Sequence, residues 1–382
     1  MDPTAPVIVA ARRTPVTAAG HGLAALDAAA LAAPVLAALA GDLAAAASGR
    51  RAPGVDDVVL GNCRGPGGDV ARIAALAAGL GAHVPGVTVD RQCGSGLDAV
   101  RLAAALVAAG QADVVLAGGA ESASTAPGGA DHRAAFAPPG WPDPDMGAAA
   151  DAVAAARGIP RHRQDAYAAR SHARAVATGL AGGFDAELVP VGGVERDDRP
   201  RAGLDAARLA RFRPAFSPGG TVTAGNACGV NDGAAAVAVV ADAVRARTGQ
   251  PGLRVLATAA VGGDPAMPPL AAAPAVRAVL ARAGRALDEV AVLEVTEAFA
   301  AQLLACTDEL GLDPLGADAE RVCPDGGAIA LGHPWSASGA LLVVRLFGRL
   351  VRRPGVRPGT LGLAACAIGG GQGLAVLVER VG

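Results

Sequence analysis

The chain has 382 residues, which is too long for one small core and predicts two or three packed units. Hydrophobic residues make up 52% and charged residues 18%, enough for buried helices and strands, and a net charge of -2 excludes a nucleic-acid footprint. All 33 basic residues are arginine, so any phosphate contact must come from guanidinium groups, backbone N–H groups or helix N-termini.

The opening MDPTAPVIVAARRTPV has too short an apolar run for a signal peptide, and its arginines follow that run. The segments PVIVAA, DDVVLGN, GVTVD and DVVLAGG alternate with helical patterns over the first 120 residues. That alternation predicts βαβ units and a sheet covered on both faces. ALDAAALAAPVLAALAGDLAAAA is interrupted by charges and breakers, so no membrane span is expected. GVTVDRQCGSGLDAVRLAAALVAAG then runs from a strand through a glycine turn into an apolar helix, with Cys93 at the helix start. The helix dipole and unpaired N–H groups there are expected to lower the thiol pKa. Gly94 and Gly96 would let amides approach a group bonded to the sulfur, as an oxyanion hole requires. A small buried cysteine at a tight turn is the bland reading.

The middle of the chain differs. DHRAAFAPPGWPDPDMG reads as a surface loop, DAVAAARGIPRHRQDAYAARSHARAVATG as helix, and ERDDRPRAGLDAARLARFRPAFSPGG as an arginine-rich irregular stretch. An insertion packed over the first half is the expected place for substrate binding. The strand rhythm returns after about residue 252, in LRVLATAAVGG, VAVLEVTEAFA, GTLGLAACAIGGG and LAVLVERV. GGAIALGHPWSASGALLVVRLFGRL again sets a small-residue turn before an apolar helix. An internal duplication follows from this, with Cys93 and His333 at matching helix starts. His333 could serve as a base toward a thiol or a donor to a thioester oxygen, or be purely structural. The six cysteines include no C-x-x-C pair, so neither a zinc site nor a disulfide framework is predicted.

Several of these segments, in order, resemble the thiolase family: VDRQCGSGLDAV, GGAESAS, GTVTAGNACGVNDGAAA and GGAIALGHP. The resemblance covers nearly the whole chain. It implies an α/β fold of two βαβαβαββ halves in a five-layer αβαβα body with an inserted loop domain. The corresponding divisions are 1–120 for the first half, 121–245 for the insertion and the return to the first half, and 246–382 for the second half. It further implies at least a dimer, a cytoplasmic enzyme without a metal or permanently bound cofactor, and coenzyme A or carrier-protein pantetheine as substrate. Cys93 would carry the acyl group, His333 would activate it and donate to an oxyanion, and Gly369 or a neighbour would supply an N–H to the second oxyanion hole. Met146, Arg213, Ala224, Cys228 and Phe299 fall at positions expected to bind the thioester, with Arg213 as the phosphate contact.

This sequence also departs from the family pattern. The second cysteine, which moves a proton at the substrate's α-carbon, falls on Ala367, and Cys366 stands one place early. Neighbouring side chains of an extended segment face opposite ways, so Cys366 could substitute only through a bulge. Thr296 replaces the asparagine that holds a water in the first oxyanion hole. Trp335 and Ser336 follow the His-Pro pair where a small apolar residue and glycine are usual, which would reshape the acyl pocket. Asp145 replaces a histidine, and Cys228 replaces the serine of the GNASG segment. The stretch from Ser124 to Met146 is short, which favours a dimer over a tetramer. The leading expectation is an acyltransferase that makes or breaks a C–C bond in 3-oxoacyl thioesters. The alternatives are transfer of the acyl group to an oxygen, nitrogen or water nucleophile, and a weakly catalytic thioester-binding partner subunit.

Overall fold

The computed structural model describes residues 2–49, 51–129 and 133–382. In chain order, β1 (Pro6–Arg13) and β2 (Thr17–Ala18) precede α1 (Ala28–Ala46), β3 (Asp57–Gly61), α2 (Val70–Ala77), β4 (Gly86–Val89), α3 (Ser95–Ala108) and β5 (Val114–Ser122). The insertion carries α4 (Met146–Ala156), α5 (Arg161–Leu180) and α6 (Ala206–Leu209), and the chain then returns in β6 (Asn231–Ala241) and α7 (Asp242–Thr248). The second half is β7 (Gly252–Gly262), α8 (Ala272–Ala283), β8 (Val290–Val295), α9 (Ala300–Leu310), α10 (Ala328–Leu331), α11 (Trp335–Phe347), β9 (Leu361–Ile368) and β10 (Gln372–Val381). Asp131 and His132, which open the Pro/Gly/Asp-rich stretch, lie outside the described residues.

The two halves repeat one set of strand pairings. In the first, β1 and β5 flank β6 antiparallel, β3 lies parallel to β5, and β4 lies parallel to β3. In the second, β7 and β9 flank β10 antiparallel, and β8 lies parallel to β9. A single parallel bridge, Leu293 to Val322, stands where β4 would be. The halves join edge to edge through Val7 and Ile8 of β1 against Arg254 and Leu253 of β7. The duplication is therefore real, and α3 and α11 are its equivalent helices. Helices α1 and α2 cover the first half, α3 and α11 form the shared middle layer, and α8 packs on the second half, giving the αβαβα order.

Burial explains the composition of each layer. β5 and β6 are buried along their whole length and consist of Val, Ala, Gly and Leu with a few polar residues at their ends, as strands covered on both faces require. Asp27 and Asp69 cap α1 and α2 by accepting the N–H groups of Ala30 and Arg72. α1 is long and apolar enough to cross a membrane, but Leu31, Leu36 and Leu39 on it are buried in the core beside β5 and β6.

The insertion does not pack chiefly over the first half, as the sequence suggested. Ala150, Val153, Tyr167 and Ala168 share a core with Val276, Leu293, Leu303 and Leu304 of the second half. Buried Glu297 fixes this contact by accepting from Tyr167 Oη (2.6 Å), Ser171 Oγ (2.7 Å) and Ile329 N (3.2 Å). A carboxylate so buried needs donors on several sides, and α5 provides two of them.

Candidate active site

Cys93 lies in a single 3₁₀ turn, Gln92–Gly94, between β4 and α3. Gln92 holds a φ of 48°, uncommon for a residue with a side chain. Asp90 accepts the Gln92 N–H at 2.7 Å, and Ser95 Oγ both accepts from Arg91 N (2.8 Å) and donates to Gln92 O (2.6 Å). These three bonds set the turn that presents the sulfur.

His333 follows α10 and precedes α11. Its N–H donates to Asn231 Oδ1 at 2.8 Å, and its Nδ1 lies 2.6 Å from Ser338 Oγ. Gly332 has a φ of 113°, and a Cβ there would run into the Asn231 side chain and Val16, so glycine is required before the histidine. Val230 pairs with His333, which joins the signature segment before β6 to the histidine loop.

The packing of α3 on α11 brings the two starts together. A Cβ on Gly96 would overlap the Ser336 carbonyl, and one on Gly339 would overlap Leu97, so the helices approach at backbone distance. Cys93 precedes Gly96 by three residues, and His333 precedes Ser336 by three. Gly94 meets the Ile368 side chain at the end of β9 in the same way. Gly94 and Gly96 are thus demanded by close packing around the turn.

The electrostatics differ from the sequence-based expectation. Burial pushes the Cys93 thiol up to about 12, and neighbouring Cys228 and Glu121 add to the shift. Burial likewise depresses His333 to about 4. The resting pair is a neutral thiol and a neutral imidazole. Cys93 stands before the first residue of α3, and no cation is among the groups acting on it most strongly, so the helix start does not offset desolvation.

The second-cysteine position is resolved by strand geometry. β9 pairs with β10 in unbroken register from Leu361 to Ile368, so no bulge reorients its side chains. Cys366 shares its face with Ala364 and Ile368 and is 0% exposed. Ala367 faces the other way, is half-buried, and lies on the side of Ala365, whose carbonyl accepts the Thr296 N–H at 3.1 Å. The expectation that Cys366 might swing into the site is not met by this backbone. Thr296 Oγ1 is buried without a hydrogen-bond partner and lines a cavity of about 30 Å³ with Glu294, Ser338 and Arg345. A cavity of that size, with an orphaned hydroxyl, suits one water.

Gly369 borders a groove shared with Asp90, Arg91 and Gln92, beside the Cys93 turn, and Phe136 packs directly over it. Phe216 stands edge-on to Phe299 at 5.8 Å and fills the space left by Gly147, which brings Met146 and Phe299 to one region. Asp145 caps α4 by accepting from Gly147 and Ala148. Trp335 lies under the Arg64 guanidinium, 4.8 Å from its ring centre.

A cavity of about 720 Å³ opens between Arg199, Arg201, Arg208, Arg211, Phe212 and Ala224. Arg213, expected as the phosphate contact, is exposed and does not line this cavity. Asn231, Ser338 and Glu121 were missed as well. Glu121 is buried and accepts from Asn62 Nδ2, Cys63 Sγ and Arg64 N. Its place in the GGAES segment was the available signal. Among the described residues no group of three or more His, Cys, Asp or Glu is placed to hold a metal.

Comparison with known proteins gives a consistent result. A family model described as the thiolase N-terminal domain matches residues 6–243, and one described as the thiolase C-terminal domain matches residues 249–380. An acetyl-CoA acetyltransferase of Pseudomonas aeruginosa is 40% identical over 98% of this chain and 99% of its own length. A beta-ketoadipyl-CoA thiolase from the same organism is 42% identical over 97% of each chain. The crystal structure of the Bacillus anthracis acetyl-CoA acetyltransferase superposes with a TM-score of 0.89 at 34% identity, covering 100% of both chains.

Proposed function

Because this chain belongs to the thiolase family, an acyltransferase family that makes or cleaves the C–C bond of 3-oxoacyl-CoA, we propose that Cys93 is its acyl carrier and His333 the group that moves the proton of that thiol. The observation that supports this most directly is the backbone-distance packing of α3 on α11, which sets the Cys93 turn beside the His333 loop. Both groups are neutral at rest, so the proton leaves Cys93 as the sulfur attacks. Ser338 holds Nδ1, leaving Nε2 to receive that proton and then to donate to the oxyanion. Thr296 would hold the water of the first oxyanion hole, and the Gly369 N–H with that of Cys93 would form the second.

Coenzyme A is the thiol substrate, and the arginine-lined cavity is suited to its phosphates, since planar guanidinium groups bind phosphate oxygens in pairs. Ala224 and Cys228 would line the route inward, with Met146, Phe216 and Phe299 as the apolar wall. We place the enzyme in the cytoplasm, acting as a homodimer. β4 supports the dimer: it is the outer strand of its sheet, and Val87 on it is 44% exposed beside exposed Ile73 and Leu76 of α2.

The test is intact-protein mass after incubation with acetoacetyl-CoA, with coenzyme A release followed in parallel and Cys93→Ala as control. An acetyl adduct on the wild type, absent from the variant, is expected. Equal labelling of both proteins would overturn the role of Cys93.

A further inference from the structure

We propose that Cys228 is the second reacting thiol of this enzyme, exchanging the proton at the substrate's α-carbon and at the incoming coenzyme A thiol. The proposal rests on Cys93 as acyl carrier. The position of the family's second cysteine holds only the methyl group of Ala367, and Cys366, on the opposite face of β9, is fully buried. The family's second thiol is thus absent from β9, while the segment before β6 has gained one, at the position where the family pattern has serine.

The backbone puts Cys228 between the two loops that carry the chemistry. Its N–H donates to Ala298 O at 2.9 Å, and Ala227 bridges Phe299, which ties it to the loop after Thr296. Two residues on, Val230 pairs with His333, and Asn231 accepts the His333 N–H. Cys228 is half-buried, as Cys93 is, whereas Cys306, Cys323 and Cys366 are fully buried. Cys63 is also half-buried, but its sulfur is engaged by the Glu121 carboxylate at 2.9 Å. Among the groups acting on the Cys93 thiol, Cys228 has the largest electrostatic effect, ahead of Glu121. Cys366 also senses Cys93, from the face of β9 whose Ile368 packs on the Cys93 turn, but it is fully buried.

Arg199 supplies what a proton-exchanging thiol needs. Its guanidinium lies over Gly229, where a Cβ would overlap it, and its Nε is buried without a hydrogen-bond partner. Burial raises the Cys228 thiol, and Arg199 is the strongest influence in the opposite direction. A cation beside the sulfur stabilises the thiolate that forms when the proton leaves.

In cleavage, His333 takes the Cys93 proton and the thiolate attacks the 3-oxo carbon. The C2–C3 bond breaks, the Cys228 thiol protonates C2, and acetyl-CoA departs. The Cys228 thiolate then removes the proton of incoming coenzyme A, whose sulfur displaces Cys93 from the acyl group. Cys93 recovers its proton from His333. In condensation the same steps reverse, and Cys228 removes the α-proton of acetyl-CoA.

The experiment compares wild type with Cys228→Ala, Cys228→Ser, Cys366→Ala and the double variant Cys228→Ala/Ala367→Cys. Three quantities are followed: acetylation of Cys93 by acetyl-CoA, deuterium exchange into the acetyl methyl group in heavy water, and thiolysis of acetoacetyl-CoA. Cys228→Ala and Cys228→Ser are expected to lose exchange and thiolysis ~10²–10⁴-fold, the usual contribution of a placed acid–base group. The double variant should regain exchange, which a loss of substrate binding at position 228 alone would not allow. Exchange and thiolysis that survive in Cys228→Ala, or that vanish in Cys366→Ala, would overturn the proposal. Absence of any adduct on wild-type Cys93 would instead remove the acyl-carrier reading beneath it.

Discussion

Gln92, with its positive φ, and Cys93 after it form a turn held by Asp90 and Ser95 before α3 begins. That geometry fixes the direction of the sulfur without ionising it. Burial keeps the thiol up to about 12, and it keeps His333 down to about 4, so folding favours the uncharged form of each. The sign sets an observable. Alkylation of Cys93 by iodoacetamide follows the thiolate fraction, which rises as pH climbs toward the thiol's elevated pKa. The expected rate therefore increases throughout the range from pH 7 to pH 9 with no plateau. A plateau near neutrality would mean that the imidazolium–thiolate pair exists before substrate arrives. The residue at 367 follows equally simple physics, since an extended strand turns successive side chains to opposite faces. Cys366 and Ala367 turn to opposite faces through that alternation, which was readable from the spacing of the GLA and GGG anchors.

Helices α3 and α11 meet through Gly96 and Gly339, and this contact decides where Cys93 and His333 stand. Gly339→Val would drive a branched side chain into Leu97 at the midpoint of the pair. The expected cost is about 1–3 kcal/mol of stability, the usual range for overpacking, measured as a lowered midpoint in urea. Cys93 acetylation should fall as well, because separating the helices moves the turn away from the histidine loop. A variant with unchanged stability and acetylation would show that the helices do not define the site. The repeated strand–turn–helix device made this pair visible in the sequence, since both helices start from a small-residue turn and carry a continuous apolar face. The position of the insertion was not visible. α4 buries chiefly small residues, and such a face fits either half. Only the donors gathered around Glu297 reveal the choice, and they come from segments more than 100 residues apart in sequence. The arginine cavity was hidden for a related reason: Arg199, Arg201, Arg208 and Arg211 converge only after the irregular stretch folds back, while Arg213 stands nearest the recognisable motif.

Two sheets that share a seam at β1 and β7 leave β4 and β8 as the outer named strands of the molecule. β8 is covered by the bridge to Val322, whereas β4 exposes Val87 and, among the described residues, pairs only with β3. An uncovered apolar edge invites a second copy to extend the sheet. Val87→Arg would place a charge on that edge, and sedimentation should then show the proposed dimer shifted toward monomer. Persistence of a dimer in this variant would move the interface elsewhere on the surface.

The strand β1 is completed by a partner far along the chain, since Pro6 faces Ala241 across the β1–β6 ladder. During synthesis β1 and β5 therefore emerge with open sides and wait while the entire insertion is made. Closing so long a loop is slow compared with forming local helices. The nascent chain up to about residue 230 is thus the vulnerable intermediate, with two alanine- and valine-rich strands unprotected. The ribosome must carry the chain past β6 before the first half can shield itself, and past α11 before Cys93 has its histidine. Production of the separated first half would accordingly need to extend through β6, and even then it would hold Cys93 without the His333 loop.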